Sequence, residues 1–136
     1  MIPPPGTALA VGLLWFFVSG IVTFWTNIFL GGAIDGSAAY HEFSMAFPPA
    51  DFAMGVCAVT AAETLRRCRP TSVLWSLVTA GALGFIGLVD VTYNLQHQVY
   101  GRNLSTAWEV FVNVFSLLFP LWLAHFAWSR RRALDR

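Results

Sequence analysis

The stretch that decides the fold is Gly84-Phe-Ile-Gly-Leu-Val-Asp-Val-Thr-Tyr-Asn-Leu-Gln-His97, which begins apolar and ends polar. It predicts a helix on which Asp90, Asn94 and His97 follow each other at i, i+4 and i+7 and therefore share one face. Gly84 and Gly87 lie close to that face one to two turns earlier, where a bare backbone lets another helix approach. Because an aspartate is costly to bury in an apolar helix, this face predicts a functional site.

Composition places the chain among the integral membrane proteins. Of its 136 residues, 57% are hydrophobic and 11% are charged, whereas soluble domains carry about a quarter charged residues. The net charge of +1 argues against a nucleic-acid partner, which would need a basic stripe. The two cysteines, Cys57 and Cys68, form no C-x-x-C motif, and no cofactor is predicted.

Four apolar segments predict an all-α fold, a polytopic bundle of four transmembrane helices that forms a single domain over residues 1–136. A helix of about 20 residues covers the hydrocarbon core of a bilayer. The first segment lacks a preceding positive charge and a cleavage-like end, so it is predicted to be a span rather than a signal peptide. The predicted spans are residues 7–31, 47–65, 71–93 and 106–128.

The placement of the arginines predicts the orientation. The loop between the second and third spans and the C-terminal tail together hold all of the arginines except Arg102. The positive-inside rule puts these arginine-rich segments in the cytoplasm. Both termini are then cytoplasmic, and we expect a multi-pass protein of the cell inner (cytoplasmic) membrane that is surrounded by membrane lipids.

Every predicted span carries polar residues in its outer half, and none carries a comparable group in its cytoplasmic half. A bundle that turns these faces inward would gather three carboxylates and three amides around one cavity. Three carboxylates at low dielectric cannot all stay ionised unless one keeps a proton or a cation sits among them. No residue is assigned as a metal ligand. The predicted ligand-binding residues are Asn27, Asp51, Asp90, Asn94, His97, Glu109 and Asn113.

Structural roles compete with this interpretation for most of these residues. Asp51 and Glu109 lie in first helical turns, where the helix dipole favours an acid. The three asparagines suit hydrogen bonds between helices, and His97 suits the membrane boundary. Asp90 differs because it approaches a helix C-terminus, where the dipole disfavours an anion. Asp90 is therefore the principal candidate for a residue that faces a pocket.

Three functions are compatible with this pattern. The first is a binding protein whose outer pocket holds a lipophilic or cationic small molecule or an ion. The second is an acid–base enzyme of the isomerase or cyclase type acting on an isoprenoid or lipid, with Asp90, Glu109 and Asp51 as catalytic residues. The third is an accessory subunit or assembly factor of a larger membrane complex, or a homo-oligomer, in which the polar residues only hold the helices together.

The order of the motifs resembles that of uncharacterised small bacterial four-span integral membrane proteins. In this order Phe-Pro-x-x-Asp opens the second span, Asp-x-x-Tyr-Asn closes the third, and an acid-x-x-x-Asn motif opens the fourth. The layout is also similar to that of four-span sterol-isomerase-like and sigma-2-like proteins, and this resemblance implies acids in a membrane pocket. The residues that carry the resemblance are Phe47, Pro48, Asp51, Asp90, Tyr93, Asn94, Glu109 and Asn113.

Overall fold

The structure is a computed structural model that describes residues 3–30, 42, 45–98, 100 and 105–134, without the side chains of residues 105 and 106. All of the regular structure within these ranges is helical. Arg102 and Arg136, which enter the prediction of orientation, lie outside the described residues. The helices are α1 (Thr7–Phe29), α2 (Pro48–Arg66), α3 (Ser72–Gln96), α4 (Ser105–Ser129) and the short α5 (Arg131–Leu134).

Three of these helices are long and apolar enough to cross a membrane, which makes the chain a small multi-pass membrane protein. They are α1, α3 and the segment Ala107–Ser129 of α4. Helix α2 is not among them. It has 19 residues, carries Asp51, Glu63 and Arg66, and is rich in alanine, which contributes less hydropathy than leucine or valine. The fourth span and the orientation of the termini therefore remain predictions.

Each long helix packs against the next one along the chain, so α1 lies against α2, α2 against α3, and α3 against α4. The contacts between α3 and α4 show that this pair is antiparallel, because Gly84 lies opposite Pro120 while Gly87 lies opposite Ser116. A Cβ atom on Gly87 would come within 2.9 Å of the Ser116 backbone oxygen. Only glycine therefore allows the two helices to approach this closely.

The chain enters and leaves α2 through local signals that the sequence contains. Pro48 and Pro49 occupy the first turn of α2, where proline's missing N–H is not needed. At the other end Cys68 adopts φ 48°, and the N–H groups of Cys68 and Arg69 donate to the carbonyls of Leu65 and Thr64. This is a Schellman motif, in which a left-handed residue reverses the chain after a helix.

The two ends of the helix assembly differ in chemistry. At the arginine end, defined by the end of α2, the start of α3 and the end of α4, Glu63 accepts hydrogen bonds from Arg66 at 2.8 Å and Arg67 at 3.1 Å. These ion pairs join residues at i,i+3 and i,i+4, which helical spacing places next to each other. The opposite end, defined by the end of α1, the start of α2 and the end of α3, carries Asp51 and Asp90 and is called here the carboxylate end.

Candidate functional site

A cavity of ≈ 200 Å³ lies at the carboxylate end. Three carboxylates from three helices line it, namely Asp51 of α2, Asp90 of α3 and Glu109 of α4. Each of the three is partly buried. The structure therefore brings together, on one cavity, the three acids that the sequence assigns to the site.

Asp51 owes its position to the start of α2 and to a tryptophan of α1. Its backbone N–H donates to the Phe47 carbonyl over 2.8 Å, which fixes the first turn after the paired prolines. The Trp25 indole Nε1 then donates to Asp51 Oδ2 over 2.9 Å. This hydrogen bond ties α1 to α2.

Aromatic rings form much of the cavity lining. Helix α1 contributes four of these rings to the lining and helix α4 contributes three. Phe16 of α1 meets two rings of α4 edge-on, with centroid distances of 5.6 Å to Phe115 and 6.3 Å to Phe111. Aromatic pairs prefer such edge-to-face geometry. The lining rings of the two helices are Phe16, Phe17, Phe24, Trp25, Trp108, Phe111 and Phe115.

The cavity opens sideways, between α1 and α4. Phe16, Phe24, Trp108 and Phe111 line it and are also exposed on the outer surface of the helices, by 50%, 39%, 55% and 46% respectively. These residues therefore form a rim rather than a closed wall. Because α1 packs mainly on α2, the side between α1 and α4 is bridged chiefly by the rings of Phe16, Phe111 and Phe115.

An amide layer lies next to the cavity without lining it. Asn113 is buried, and its Nδ2 donates to the Tyr100 hydroxyl over 2.9 Å. Asn94 is completely buried, and within the described ranges its amide has no hydrogen-bond partner of good geometry. Burial raises the Tyr100 pKa, the nearby Asn94 amide lowers it, and the charges of Asp90 and Glu109 raise it further. Tyr100 therefore lies within electrostatic range of two cavity acids.

Two further residues of the predicted set, Asn27 and His97, do not line the cavity either. Asn27 is exposed on α1, and the polar group that α1 does contribute is the indole of Trp25, two residues earlier and on a different side of the helix. His97 is exposed at the end of α3, where Nδ1 lies 3.0 Å from the Tyr93 carbonyl oxygen and the ring stacks on that of Tyr93. This geometry suits a boundary residue. A buried tryptophan needs an acceptor for its N–H, and that rule could have identified Trp25.

The half of α3 nearest the arginine end contains a stripe of polar residues outside the predicted set. Ser72, Ser76 and Thr79 lie at i, i+4 and i+7, and each is completely buried. Their hydroxyls have no hydrogen-bond partner among the described residues, whereas Thr92, further along the same helix, donates to the Leu88 carbonyl. The helical spacing of the three hydroxyls is the feature of the sequence from which this stripe could be predicted. Their surroundings are small and apolar, with Ala58, Ala61, Ala62 and Leu65 of α2 buried in the core.

The polar side chains that line the described part of the cavity are three carboxylates, the Trp25 indole and the Ser116 hydroxyl. Within the described ranges, no group of three histidine, cysteine, aspartate or glutamate side chains is arranged to hold a metal ion. The resemblance drawn from the motif order stays a prediction. No protein-family model matches the chain, and no curated protein or solved structure is significantly similar to it.

Proposed function

We propose that the protein binds a small organic cation in the cavity at the carboxylate end. The observation that carries the proposal is the joining of three carboxylates and a wall of aromatic rings around a single space of ≈ 200 Å³. Carboxylates in an apolar setting are stabilised by an opposite charge. Aromatic faces attract the same charge through their quadrupole, as in the aromatic cages that hold quaternary ammonium groups.

The balance of charge supports a cation over an anion or a neutral ligand. The described part of the lining contains no arginine, lysine or histidine. One charge pair at about 4 Å and an effective dielectric constant of about 20 contributes roughly 4 kcal/mol before desolvation is subtracted. Loss of a single carboxylate should therefore weaken binding by about tenfold or more, which corresponds to about 1.4 kcal/mol.

Tetramethylammonium is a suitable probe, and the signal can come from Trp25 and Trp108, which line the cavity. The protein in nanodiscs of zwitterionic lipid should show a saturable change in tryptophan fluorescence. Asp90→Asn and Glu109→Gln should each weaken binding about tenfold. Glu63→Gln is the matched control, because Glu63 lies at the arginine end in contact with Arg66 and Arg67, and it should bind as the unmodified protein does.

The proposal fails if the unmodified protein shows no saturable signal. It fails equally if Glu63→Gln weakens binding as much as Asp90→Asn, since that result would indicate a general surface-charge effect. The enzyme and subunit hypotheses use the same residues. Loss of turnover of an isoprenoid substrate in Asp90→Asn would favour the former, and co-purification with a larger membrane complex would favour the latter.

We further propose that the carboxylate end faces outward across the inner membrane, because arginines gather at the other end. Gln98 is exposed just after α3 and Cys68 lies just after α2, so the two positions mark opposite ends. In a Cys57→Ala, Cys68→Ala background, Gln98→Cys should react with a membrane-impermeant maleimide on intact cells. With only Cys68 present, labelling should require lysed cells. The reverse pattern would invert the topology.

A further inference from the structure

We propose that the ligand is a single-chain amphiphile with a cationic head, which enters from the hydrocarbon through the gap between α1 and α4. This inference rests on the proposed function and adds the route and the class of ligand. It begins from the asymmetry of the cavity. The acids come from α2, α3 and α4, whereas the rim residues Phe16 of α1 and Phe111 of α4 line the cavity and are also exposed on the surface of the helices.

The gap has room for an alkyl chain at one particular place. Gly20 of α1 lines the cavity, and a Cβ atom built on it would meet no described residue within 4 Å. Gly20 is also exposed on the surface of the helix. A chain that leaves the cavity over Gly20 therefore passes from the aromatic rim to the lipid without displacing a side chain.

Helix α1 is the least enclosed of the three apolar helices. In an 18-residue apolar segment of α1, 17% of the residues are buried, whereas the corresponding share is 39% in α3 and in α4. Its contact with α4 at the cavity consists of the edge-on rings of Phe16 against Phe111 and Phe115. Such contacts part by side-chain rotation, without a break in any backbone hydrogen bond.

The chemistry of the two ends of the gap then identifies the ligand. A cationic head satisfies the carboxylates, and an apolar tail in the gap stays in contact with rings and lipid, where a polar tail would be costly. A small hydrophilic cation would interact with the carboxylates but would leave the apolar gap unfilled. A neutral lipid would fill the apolar gap but would leave the carboxylates without an opposite charge.

A series of alkyltrimethylammonium ions with ethyl, butyl, octyl and dodecyl chains tests the proposal on the unmodified protein in nanodiscs. Because each buried methylene favours transfer out of water, the apparent affinity should rise by about tenfold or more from ethyl to dodecyl. Dodecanol, which has the tail but no charge, should not compete. An affinity that is flat or falls with chain length would overturn the lateral route.

Gly20→Leu provides the second test and Gly12→Leu its matched control. Both glycines are exposed on α1 with nothing within 4 Å of a built Cβ, but only Gly20 lines the cavity. Gly20→Leu should weaken dodecyltrimethylammonium binding by about tenfold and change tetramethylammonium binding by less than about threefold, whereas Gly12→Leu should affect neither.

The two proposals fail in distinguishable ways. If tetramethylammonium binds and Gly20→Leu leaves the dodecyl ligand unaffected, the route over Gly20 is wrong while the cation site stands. If Gly20→Leu weakens both ligands equally, the residue acts on the cavity volume and the lateral route is again overturned. If neither ligand binds the unmodified protein, the proposed function itself is wrong.

Discussion

Trp25 and Asp51 are joined by a hydrogen bond in which the indole Nε1 donates to the carboxylate Oδ2 over 2.9 Å. The bond connects α1 to α2 at the carboxylate end. Hydrogen bonds to charged groups contribute roughly 1.5–3 kcal/mol. We therefore expect Trp25→Phe to lower the free energy of unfolding by about 1–3 kcal/mol, measured by denaturation in mixed micelles. Trp15→Phe, at an exposed site on the same helix, should change it by less than about 0.5 kcal/mol.

A double-mutant cycle separates the hydrogen bond from the loss of ring volume. If Trp25→Phe and Asp51→Ala act through the same bond, their combined effect should be smaller than the sum by about 0.5–3 kcal/mol. Effects that simply add would show that the two side chains stabilise the helices independently, and this would contradict the assigned contact.

The same pair of residues shows how far sequence reasoning reaches at the site. Spacing and depth suffice to predict that Asp51, Asp90 and Glu109 lie near each other, because each acid occupies the polar face of an apolar helix. For α1 the structure differs from the expectation, since Asn27 is exposed and Trp25 makes the contact with Asp51. Helical spacing assigns a residue to a face, but the rotation of α1 about its axis depends on packing against α2.

Gly87 tests the close approach of α3 and α4. A Cβ atom there would lie 2.7 Å from Ser116 Oγ and 2.9 Å from the Ser116 backbone oxygen, so Gly87→Ala must push the helices apart. Overpacking of this kind costs about 1–3 kcal/mol. We expect that loss in the free energy of unfolding, together with a weaker response to tetramethylammonium, because Gly87 and Ser116 also line the cavity.

Gly81→Ala is the matched control, one and a half turns earlier on α3. A Cβ atom at Gly81 meets nothing within 4 Å, and alanine favours a helix over glycine by up to about 1 kcal/mol. This variant should be neutral or more stable. If Gly87→Ala is also neutral, the helices are further apart than the structure places them.

The fold is more predictable from the sequence than the site. Long apolar segments bounded by Pro48, by the loop after Cys68 and by the polar residues after Asn94 suffice to place the helices, because burial and chain reversal both leave local signals. The sequence does not decide whether α2 spans the membrane, because its alanines lower its hydropathy and acidic residues lie near both of its ends. The burial of the Ser72 and Thr79 hydroxyls could not be predicted from the sequence either, because serine and threonine are common both in buried and in exposed positions of helices.

We expect that glycine at position 68 would make the protein more stable than Cys68 does. Its φ of 48° lies in the left-handed region, which costs a residue with a side chain about 1 kcal/mol relative to glycine. Cys68→Gly should therefore raise the free energy of unfolding by about 0.5–1 kcal/mol. Cys68→Ala removes the thiol and keeps the strain, so it should give no gain. Equal stabilisation by both variants would show that the backbone conformation is not the cause.

Tyr100 can report on the charges of the cavity without a ligand. Its pKa is raised above the usual value by burial and by the negative charges of Asp90 and Glu109. Folding therefore favours the protonated phenol. The stability that this contributes is present below pH ~10, where the unfolded phenol ionises, and is lost as the pH rises through the higher pKa of the folded state. The titration is measured as the ultraviolet difference between the protein and Tyr100→Phe.

Removal of a cavity charge should move this titration in a defined direction. Asp90→Asn and Glu109→Gln each take away a negative charge that opposes ionisation, so each should lower the Tyr100 pKa. Glu63→Gln should leave it unchanged, since Glu63 lies at the arginine end beside Arg66 and Arg67. If neither cavity variant changes the Tyr100 pKa, Asp90 and Glu109 lie too far from the tyrosine for their charges to affect it. The convergence of the acids, on which the binding proposal depends, would then be contradicted.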